Sequence, residues 1–481
     1  MNGTTSLQVR PWHRTRAWLL VGAAAALLVV WAAPPLYLLP ALALIGSLAL
    51  VLRYPPAGFA LLAFSVPWGG GFTVHLGSFP LTTTEIVVGE LSAAWLASAS
   101  YHRRSPLIRL WTPYLAFYLV AIALSATQSI DRQASYREIF KWLELGVVYY
   151  SAAYLLRSGR EIRLVADALV LAGVSQALLG FAQLAFQLGP AAFGLHRTFF
   201  RSYGTFDQPN PYAGFLNIVL PLAVALALDA GTRRRRGWYR LASVLLAGAL
   251  LASQSRGALI AAGVALAVVL ACRSRRMASL AWSGVLAALL AALLAAFNLL
   301  PAAPVNRVLT AVGLGDVSFD NVTDANFSAV ERAAHWLAGV RMFAAHPLLG
   351  VGIGTYGAAY PAYHPRGWYA SLEHAHNYYI NIAAEAGVLG LTAYALLLGS
   401  ALWYSYASVR QEHDRALRAL LLGVLGALIT TSVHNLFDVL YVHGMAALLG
   451  LLLALIPASR AIERPMTDTE KQVTKSGAIY A

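Results

Sequence analysis

Residues 258–299 read ALIAAGVALAVVLAC-RSRR-MASLAWSGVLAALLAALLAAFNL, two apolar runs separated by three arginines. A helix needs about 20 apolar residues to cross the hydrocarbon core of a bilayer. In the whole chain of 481 residues, 59% are hydrophobic and only 12% are charged, which is too little charge to cover a soluble surface of this size. We therefore predict an all-α polytopic membrane protein.

Fourteen apolar runs are candidate membrane spans, and because several are short for a crossing we predict twelve to fourteen transmembrane helices. The runs lie near 17–33, 35–52, 57–72, 84–100, 107–126, 139–156, 164–186, 212–229, 238–254, 258–272, 277–299, 386–408, 416–434 and 438–456. Basic clusters interrupt them at 103–104, 157–163, 233–236, 273–276 and 410–418. The positive-inside rule places all five clusters and both termini in the cytoplasm.

The segment 300–385 is too long for a simple connection between spans. We predict that it forms a large, mainly helical cap on the outer face, between a bundle of spans at 1–299 and the last spans at 386–458. A capping box at Ser328–Glu331 predicts a helix that continues to about Ala345. The remaining residues, 459–481, are expected to form a polar cytoplasmic tail.

The formal net charge is +14, and almost all of the positive charge comes from arginine. In a membrane protein such an excess indicates cytoplasmic loops that face anionic lipids, and no nucleic-acid motif is present. Cys272 is the only cysteine, which excludes an intramolecular disulfide and a cysteine-ligated metal. The expected partners are therefore membrane lipids and not nucleic acids.

The polar stretch Glu373-His374-Ala375-His376-Asn377 comes just before an apolar run, at the predicted membrane surface. Ionisable groups in this position are costly and indicate a functional site. A neutral histidine, with an ordinary pKa of about 6.5, is suited to act as a general base. If 371–380 were helical, His374 and His376 would point about 200° apart and only one would face a cavity. Glu373 would lie one turn from His376, either orienting a neighbour or solvated at the rim.

Several arginines lie on the predicted outer side, where the positive-inside rule expects few: Arg197, Arg201, Arg256, Arg332 and Arg341. Guanidinium groups match phosphate oxygens well, so their convergence would form a pyrophosphate site. The alternative is that they pair with acidic residues or lipid head groups. For Arg256, in the short turn at 255–257 between two apolar runs, the functional interpretation is favoured.

A metal site is the other chemical interpretation of this stretch. In a strand, His374 and His376 would share one face, and with Glu373 they would offer zinc ligands. No further compact set of ligands is visible in the sequence, and there is no Asp-x-Asp motif. We therefore predict no metal and no cofactor, and no nucleotide site, since no strand–turn–helix unit surrounds the glycines at 350–354.

His376-Asn377, nine residues, Gly387, two residues and Gly390 resemble the H-N-x9-G-x-x-G motif of bacterial O-antigen ligases, whose superfamily includes O-antigen polymerases and O-linked oligosaccharyltransferases. Ser255-Arg256-Gly257 resembles the arginine turn of this family, and Glu331-Arg332 resembles the start of its large periplasmic loop. Asp438, near His434, resembles another of its polar positions. The resemblance covers roughly residues 190–440.

The resemblance implies a metal-independent glycosyltransferase with a GT-C-like architecture in the bacterial inner membrane. Such an enzyme transfers O-antigen from undecaprenyl pyrophosphate to lipid A-core on the periplasmic face. His376 would be the general base, and the arginines would bind pyrophosphate; His374, Glu373, Asn377 and Asp438 would line the substrate site. The alternatives are a polymerase or a protein oligosaccharyltransferase of the same superfamily and, in a different class, a transporter of anionic lipids or solutes.

Overall fold

The computed structural model describes residues 35–463, apart from 72, 77–78, 103–110, 191–192, 196–198, 230, 297–318, 320 and 324–325. The helices are α1 (Pro35–Arg53), α2 (Pro55–Trp68), α3 (Thr83–His102), α4 (Thr112–Ser125), α5 (Arg132–Leu155), α6 (Gly159–Phe186), α7 (Pro209–Asp229), α8 (Arg233–Ser253), α9 (Arg256–Arg273), α10 (Arg275–Ala296), α11 (Phe327–Ala345), α12 (Tyr356–Ala359), α13 (Tyr378–Gln411), α14 (Arg415–His434) and α15 (Met445–Glu463). Two short antiparallel strand pairs join β1 (Thr73–Leu76) to β2 (Phe79–Thr82) and β3 (Gly194–Leu195) to β4 (Phe199–Phe200).

In the described part of the chain, five helices are long and apolar enough to cross a membrane: α6, α7, α9, α13 and α14. Shorter apolar helices cover Leu42–Arg53 and Met445–Ala461. The protein is thus an all-α polytopic membrane protein, as predicted. The number of twelve to fourteen spans stays a prediction. The apolar run at 17–33, the first part of the predicted cap and most of the C-terminal tail lie outside the described residues.

The bundle is built around α7 and α14, which pack along each other, with α8 and α9 at their sides. Glycines bring the two backbones together: a Cβ added to Gly423 would lie 2.7 Å from Cα of Leu222, and one on Gly426 would lie 2.5 Å from the Pro221 side chain. Small residues give membrane helices this close approach, because dispersion contacts replace the missing hydrophobic effect. A second pair, α5 and α15, packs beside them, and α13 packs on α4 and α14.

The basic clusters that the structure describes gather at one end of this bundle, here called the basic end. Arg273 of α9 pairs with Asp229 of α7 at 2.6 Å, and Arg235 of α8 lies 3.4 Å from Asp167 of α6. The helices alternate in direction, so the turns at 201–208 and 254–255 and the segments 346–377 and 435–444 all lie at the opposite end. The cluster at 103–104 lies outside the described residues.

Helix α13 is broken at Gly387, whose backbone has φ 63° and ψ −163°. In an uninterrupted helix, the amides of Val388 and Leu389 would donate to the carbonyls of Ala384 and Glu385. The break removes both hydrogen bonds. At the depth of a membrane, such polar groups must find other partners within the protein.

The segment 347–352 supplies those partners. The two carbonyls accept hydrogen bonds from the amides of Val351 and Gly352, at 3.0 Å each, and the two amides donate to the carbonyls of Pro347 and Leu348, at 2.8 and 3.4 Å. A side chain on residue 387 would overlap the backbone of Leu348. The first glycine of the H-N-x9-G-x-x-G pattern therefore allows a loop to be inserted into the helix.

Before the inserted loop comes α11, which packs against α13. The predicted end of this helix at Ala345 is confirmed, but the predicted capping box is wrong. Asn326 is the N-cap, and Ser328 lies in the first turn, where its hydroxyl accepts a hydrogen bond from Arg332 Nη1 at 3.0 Å. The helix begins earlier because the turn before it is closed by Asn326, whose Oδ1 accepts from the amide of Thr323 at 2.7 Å.

Candidate active site

The stretch that carries the two histidines is not helical, which corrects the expectation of a helix over 371–380. Helix α13 begins only at Tyr378, because the side chain of Asn377 caps it by accepting from the amides of Tyr379 and Ile380, at 3.0 and 3.1 Å. Glu373 and His376 adopt left-handed backbone conformations, with φ of 65° and 51°. For a residue with a side chain this costs about 1–2 kcal/mol, and such strain is found at functional sites.

As a result, both histidine rings lie on the same side of the segment. The rings of His374 and His376 are 4.4 Å apart and nearly perpendicular. The amide of His376 donates to Nδ1 of His374 at 3.2 Å. This hydrogen bond leaves the proton of a neutral His374 on Nε2, so His374 presents a donor.

His376 lies beside Asp438, with 3.5 Å between Nδ1 and Oδ1, and their side chains are only 15% and 9% exposed. Asp438 is four residues beyond the end of α14, so two separate segments form the pair. Backbone and amide hydrogen bonds hold these segments together: the amide of Tyr378 donates to the Asn435 carbonyl at 2.8 Å, and Asn377 Nδ2 donates to the Leu436 carbonyl at 3.0 Å. Asn377 therefore positions His376 as well as capping α13.

The surroundings keep Asp438 ionised. Burial raises the pKa of its carboxyl group, but the contact with His376 and the charges of His376, His374 and His434 lower it by more, so that the pKa lies well below its ordinary value. A buried carboxylate next to an imidazole stabilises the imidazolium that forms when the ring takes up a proton. Both ring nitrogens of His376 are buried and, in the described part of the chain, have no hydrogen-bond partner, so Nε2 has an unused position for a proton.

His374 is a weak base. Burial lowers the pKa of His374 to about 4, and the positive charges of His376, His335 and Lys141 act in the same direction, against Asp438. A general base works best with a pKa near the working pH, and a ring with a pKa of about 4 is too weak a base near neutrality. The geometry therefore favours His376 as the base and His374 as a hydrogen-bond donor.

Three of the predicted arginines converge on this end of the bundle. Arg332 of α11 interacts electrostatically with Asp438 and with Arg256, and Arg201 interacts with both Arg332 and Arg256. Arg201 is held in place by hydrogen bonds from Nε to the Ser253 carbonyl, at 2.9 Å, and from Nη2 to Asn210 Oδ1, at 3.4 Å. We call Arg201, Arg256 and Arg332 the arginine cluster.

The arginine cluster is electrostatically suited to an anion. Burial lowers the pKa of Arg201 and Arg332, and for each of them the nearby arginines contribute in the same direction. Arg256 is the first residue of α9, where the positive end of the helix dipole adds to the same field. A bound pyrophosphate would relieve the repulsion among these groups and satisfy the helix N-terminus.

Other predicted residues lie elsewhere. Arg341 is exposed and donates from Nη1 to the carbonyls of Tyr363 and His364, at 3.1 Å each. It lies nine residues after Arg332 on α11, about 13 Å along the helix axis. The side chain of Glu373 is exposed, and Arg197 lies outside the described residues.

The structure adds His335, a residue of α11. It is buried, stacks on Tyr360 with the ring centroids 4.7 Å apart, and lies 5.8 Å from the ring of His376. Burial lowers the pKa of His335. His335 lies one helical turn after Glu331, so the two side chains lie on the same face of α11, the face towards the site. This spacing is the sequence signal that could have indicated His335.

The fold also supplies a third possible metal ligand that no local pattern indicates. One ligand atom each from His374, His376 and Asp438 lies within 4.8 Å of the others. Nitrogen and carboxylate donors in this number suit zinc. The Arg332 guanidinium, which acts on the same carboxylate, opposes a second positive charge there. The donor set is therefore compatible with a cation, but the local field favours an anion.

Residues 241–395 match the Wzy_C family model, described as O-antigen ligase. The match includes Arg256, Arg332, His376 and the glycines at 387 and 390, whereas Asp438 and Arg201 lie beyond it. No curated protein matches the chain. The matched region, the broken helix behind the histidine and the multi-pass helical fold agree with one another. Residues 241–395 are therefore similar to the O-antigen ligase and polymerase superfamily, whose enzymes are glycosyltransferase-like proteins of glycan processing.

Proposed function

We propose that this protein is an O-antigen ligase. It transfers a preassembled O-antigen glycan from undecaprenyl pyrophosphate to an outer sugar of lipid A-core, at the periplasmic face of a bacterial inner membrane. The observation that carries the proposal is the placement of the His376–Asp438 pair at the same end of the bundle as the arginine cluster, with Arg332 acting on Asp438. This arrangement joins a base to a binding site for a diphosphate.

In the proposed reaction, Nε2 of His376 takes the proton from the acceptor hydroxyl as that oxygen attacks the anomeric carbon of the donor glycan. Asp438 stabilises the resulting imidazolium. The bond between the anomeric carbon and the pyrophosphate oxygen breaks, and its electron pair leaves with undecaprenyl pyrophosphate. Attack from the side opposite the leaving group inverts the anomeric configuration.

The leaving group is a weak base, so it needs charge stabilisation more than protonation. The arginine cluster supplies positive charge already in place before the bond breaks, which is the most effective form of electrostatic catalysis. His374, as an Nε2 donor, is placed to hydrogen-bond a phosphate or sugar oxygen. No step in this scheme requires a metal.

The test is a transfer assay with the purified full-length protein in nanodiscs, undecaprenyl-pyrophosphate-linked O-antigen, lipid A-core and EDTA. Glycosylated lipid A-core should appear, and it should not appear with His376→Ala. Longer lipid-linked chains in place of glycosylated lipid A-core would identify a polymerase and overturn the ligase assignment. Movement of the donor lipid across the bilayer without any bond cleavage would indicate a transporter.

The stereochemistry has its own test. The glycosidic linkage of the product is compared with the donor linkage by NMR, using the one-bond C–H coupling at the anomeric carbon. We expect opposite configurations. Retention would exclude a single in-line displacement and would require a covalent glycosyl intermediate on the protein.

A further inference from the structure

A second cavity opens at the same end of the bundle as His376. Its volume is about 630 Å³, within the usual range for a small-molecule site. The walls come from the end of α2, the start of α3, the first half of α5, residues 205–206 before α7, and residues 443–446 at the start of α15. Neither the arginine cluster nor the pair His374 and His376 lines it.

The cavity contains a buried acid with an unused acceptor. Glu144 is only 8% exposed, and in the described part of the chain its Oε1 has no hydrogen-bond partner. Glu144 and Glu85 both line the cavity. Burying a carboxylate oxygen without a partner is costly, so its presence in the wall of a cavity indicates a ligand that donates hydrogen bonds.

The cavity and the catalytic centre share a wall, the segment 435–444. Asp438 in this segment faces His376, whereas His443 and Gly444 line the cavity. Lys141, another lining residue, donates to the Tyr441 carbonyl in the segment, at 2.9 Å. Its charge also acts on His374 across the wall. A ligand in the cavity would therefore lie next to the base.

The lining determines which ligand fits. Lys141 pairs with Glu138 at 2.6 Å, and Glu85 lies in the lining together with Arg137, so the cavity lacks the positive excess that a pyrophosphate needs. An isoprenoid chain would leave the buried Glu144 oxygen without a hydrogen-bond partner. Phe140 and Phe206 add flat apolar surfaces. Hydrogen-bond donors and acceptors beside aromatic rings suit a neutral polyhydroxylated molecule, that is, a saccharide.

We propose that this cavity is the acceptor subsite: it binds the terminal sugar rings of the acceptor glycan, with sugar hydroxyls donating to Glu144 and the reacting hydroxyl directed past 435–444 to His376. This inference rests on the proposed function, because it assigns the cavity to the acceptor and leaves the donor pyrophosphate to the arginine cluster. Donor glycan in the same cavity is the alternative that the experiment separates.

The first experiment measures binding without chemistry. The probe is the core oligosaccharide released from lipid A-core by mild acid, titrated into the full-length protein in nanodiscs and followed by calorimetry. Wild type and His376→Ala should bind it equally. Glu144→Gln and Phe140→Ala should bind it about tenfold more weakly, the effect of disturbing one buried hydrogen bond or of losing one stacking surface. Leu143→Ala, an exposed neighbour on α5 that does not line the cavity, is the matched control and should bind normally.

The second experiment is kinetic. In Glu144→Gln and Phe140→Ala, the KM for lipid A-core should rise about tenfold while the KM for the lipid-linked donor stays the same. Unchanged acceptor KM in both variants would overturn the acceptor subsite and leave the ligase assignment standing. Oligosaccharide binding without any transfer would overturn the ligase assignment and leave a saccharide site. Displacement of the oligosaccharide by donor glycan, with a raised donor KM in the variants, would assign the cavity to the donor. Phe140 is half exposed, so its truncation tests the cavity even if Glu144→Gln folds poorly.

Discussion

Two histidines separated by one residue carry different chemistry here, and the difference arises from the backbone between them. The left-handed conformation of His376 turns its amide back onto Nδ1 of His374, which fixes the tautomer of that ring. The ring of His376 is left to face Asp438, at 3.5 Å. These surroundings support the proposal that His374 is a hydrogen-bond donor and His376 the base, although the sequence presents them as equivalent.

Removal of the base should nearly abolish transfer. General-base catalysis is worth about 10²–10⁴-fold, so we expect kcat of His376→Ala to fall by about that factor while binding of the lipid-linked donor is retained. Asp438→Asn keeps the shape of the side chain but not the charge, and should lower kcat while the KM for donor changes little. His374→Gln, which keeps a donor, should retain more activity than either. A His374→Gln enzyme less active than His376→Ala would reverse the assignment of the base.

His374 also makes a prediction about stability and pH. Its pKa is about 4 in the folded protein and about 6.5 in an unfolded chain. On acidification, the His374 ring takes up a proton in the unfolded state but not in the folded state. The free energy of unfolding therefore falls as the pH drops from about 6.5 towards 4. Above pH 6.5 this effect is absent.

His374→Gln should therefore lose less stability than wild type between pH 7 and pH 5, by an amount of order 1 kcal/mol. The measurement is the midpoint of thermal unfolding at both pH values, for wild type and variant in the same detergent. Other buried histidines, His335 among them, titrate in both proteins and cancel in the comparison. Parallel pH profiles would show that His374 does not titrate differently on unfolding.

At the scale of elements, the broken helix α13 explains why glycine is needed so far from the histidine. The inserted segment 347–352 exchanges hydrogen bonds with the helix and connects α11 to it. Gly350 serves the other side of the same contact, because a side chain there would overlap the backbone of Glu385. The break thus ties the α11 region, with Arg332 and His335, to the helix that begins behind His376.

Gly387→Ala should destabilise the protein strongly. Its backbone lies in a region open essentially only to glycine, and a strained conformation of this kind costs about 1–3 kcal/mol before the clash with Leu348 is counted. We expect a clear fall in the thermal unfolding midpoint and loss of transfer. Gly399→Ala is the matched control on the same helix, since a Cβ there meets no atom within 4 Å and alanine is the better helix former. Equal midpoints for the two variants would contradict the inserted-loop explanation.

The sequence predicts some of these elements better than others. Apolar runs longer than the bilayer thickness predict crossing helices reliably, because backbone hydrogen bonding in lipid allows little else. Local signals also predicted the end of α11 at Ala345 and a turn near 255–257, which the structure has at 254–255 because Arg256 already begins α9. The backbone at 371–377 was not, since a helix over 371–380 is excluded only by the Asn377 cap and by hydrogen bonds to 435–436, a segment almost 60 residues away.

For the molecule as a whole, the site depends on contacts between distant segments. The arginine cluster combines three different parts of the chain, at Arg201, Arg256 and Arg332. The packing of α7, α8 and α9 and the contact of α11 with the bundle set the positions of these residues relative to one another. Local patterns indicate that each is unusual, but not that they meet. The family resemblance indicated that Asp438 is a polar position of the site. That its neighbour is His376 follows only from the fold.

The distribution of charge predicts how the molecule lies in the membrane. The arginine clusters at 157–163, 233–236, 273–276 and 410–418 gather at the basic end, and the rule that retains such clusters in the cytoplasm predicts that His376 lies on the other side of the bilayer. The chain allows a direct test because Cys272 is its only cysteine. In a Cys272→Ser background, Ala370→Cys introduces a thiol at an exposed position near the histidines, and His413→Cys introduces one between α13 and α14 at the basic end.

In spheroplasts of a Gram-negative host, a membrane-impermeant maleimide should label Ala370→Cys without treatment and His413→Cys only after permeabilisation. The Cys272→Ser protein without an added cysteine gives the background. Labelling in the reverse order would place the histidines in the cytoplasm. A lipid-linked donor carried to the outer leaflet could not reach them there. This result would overturn both the orientation and the proposed periplasmic reaction. The expected order follows from electrostatics alone, because moving the basic clusters across the membrane would set several arginines per loop against both the potential and the lipid charge.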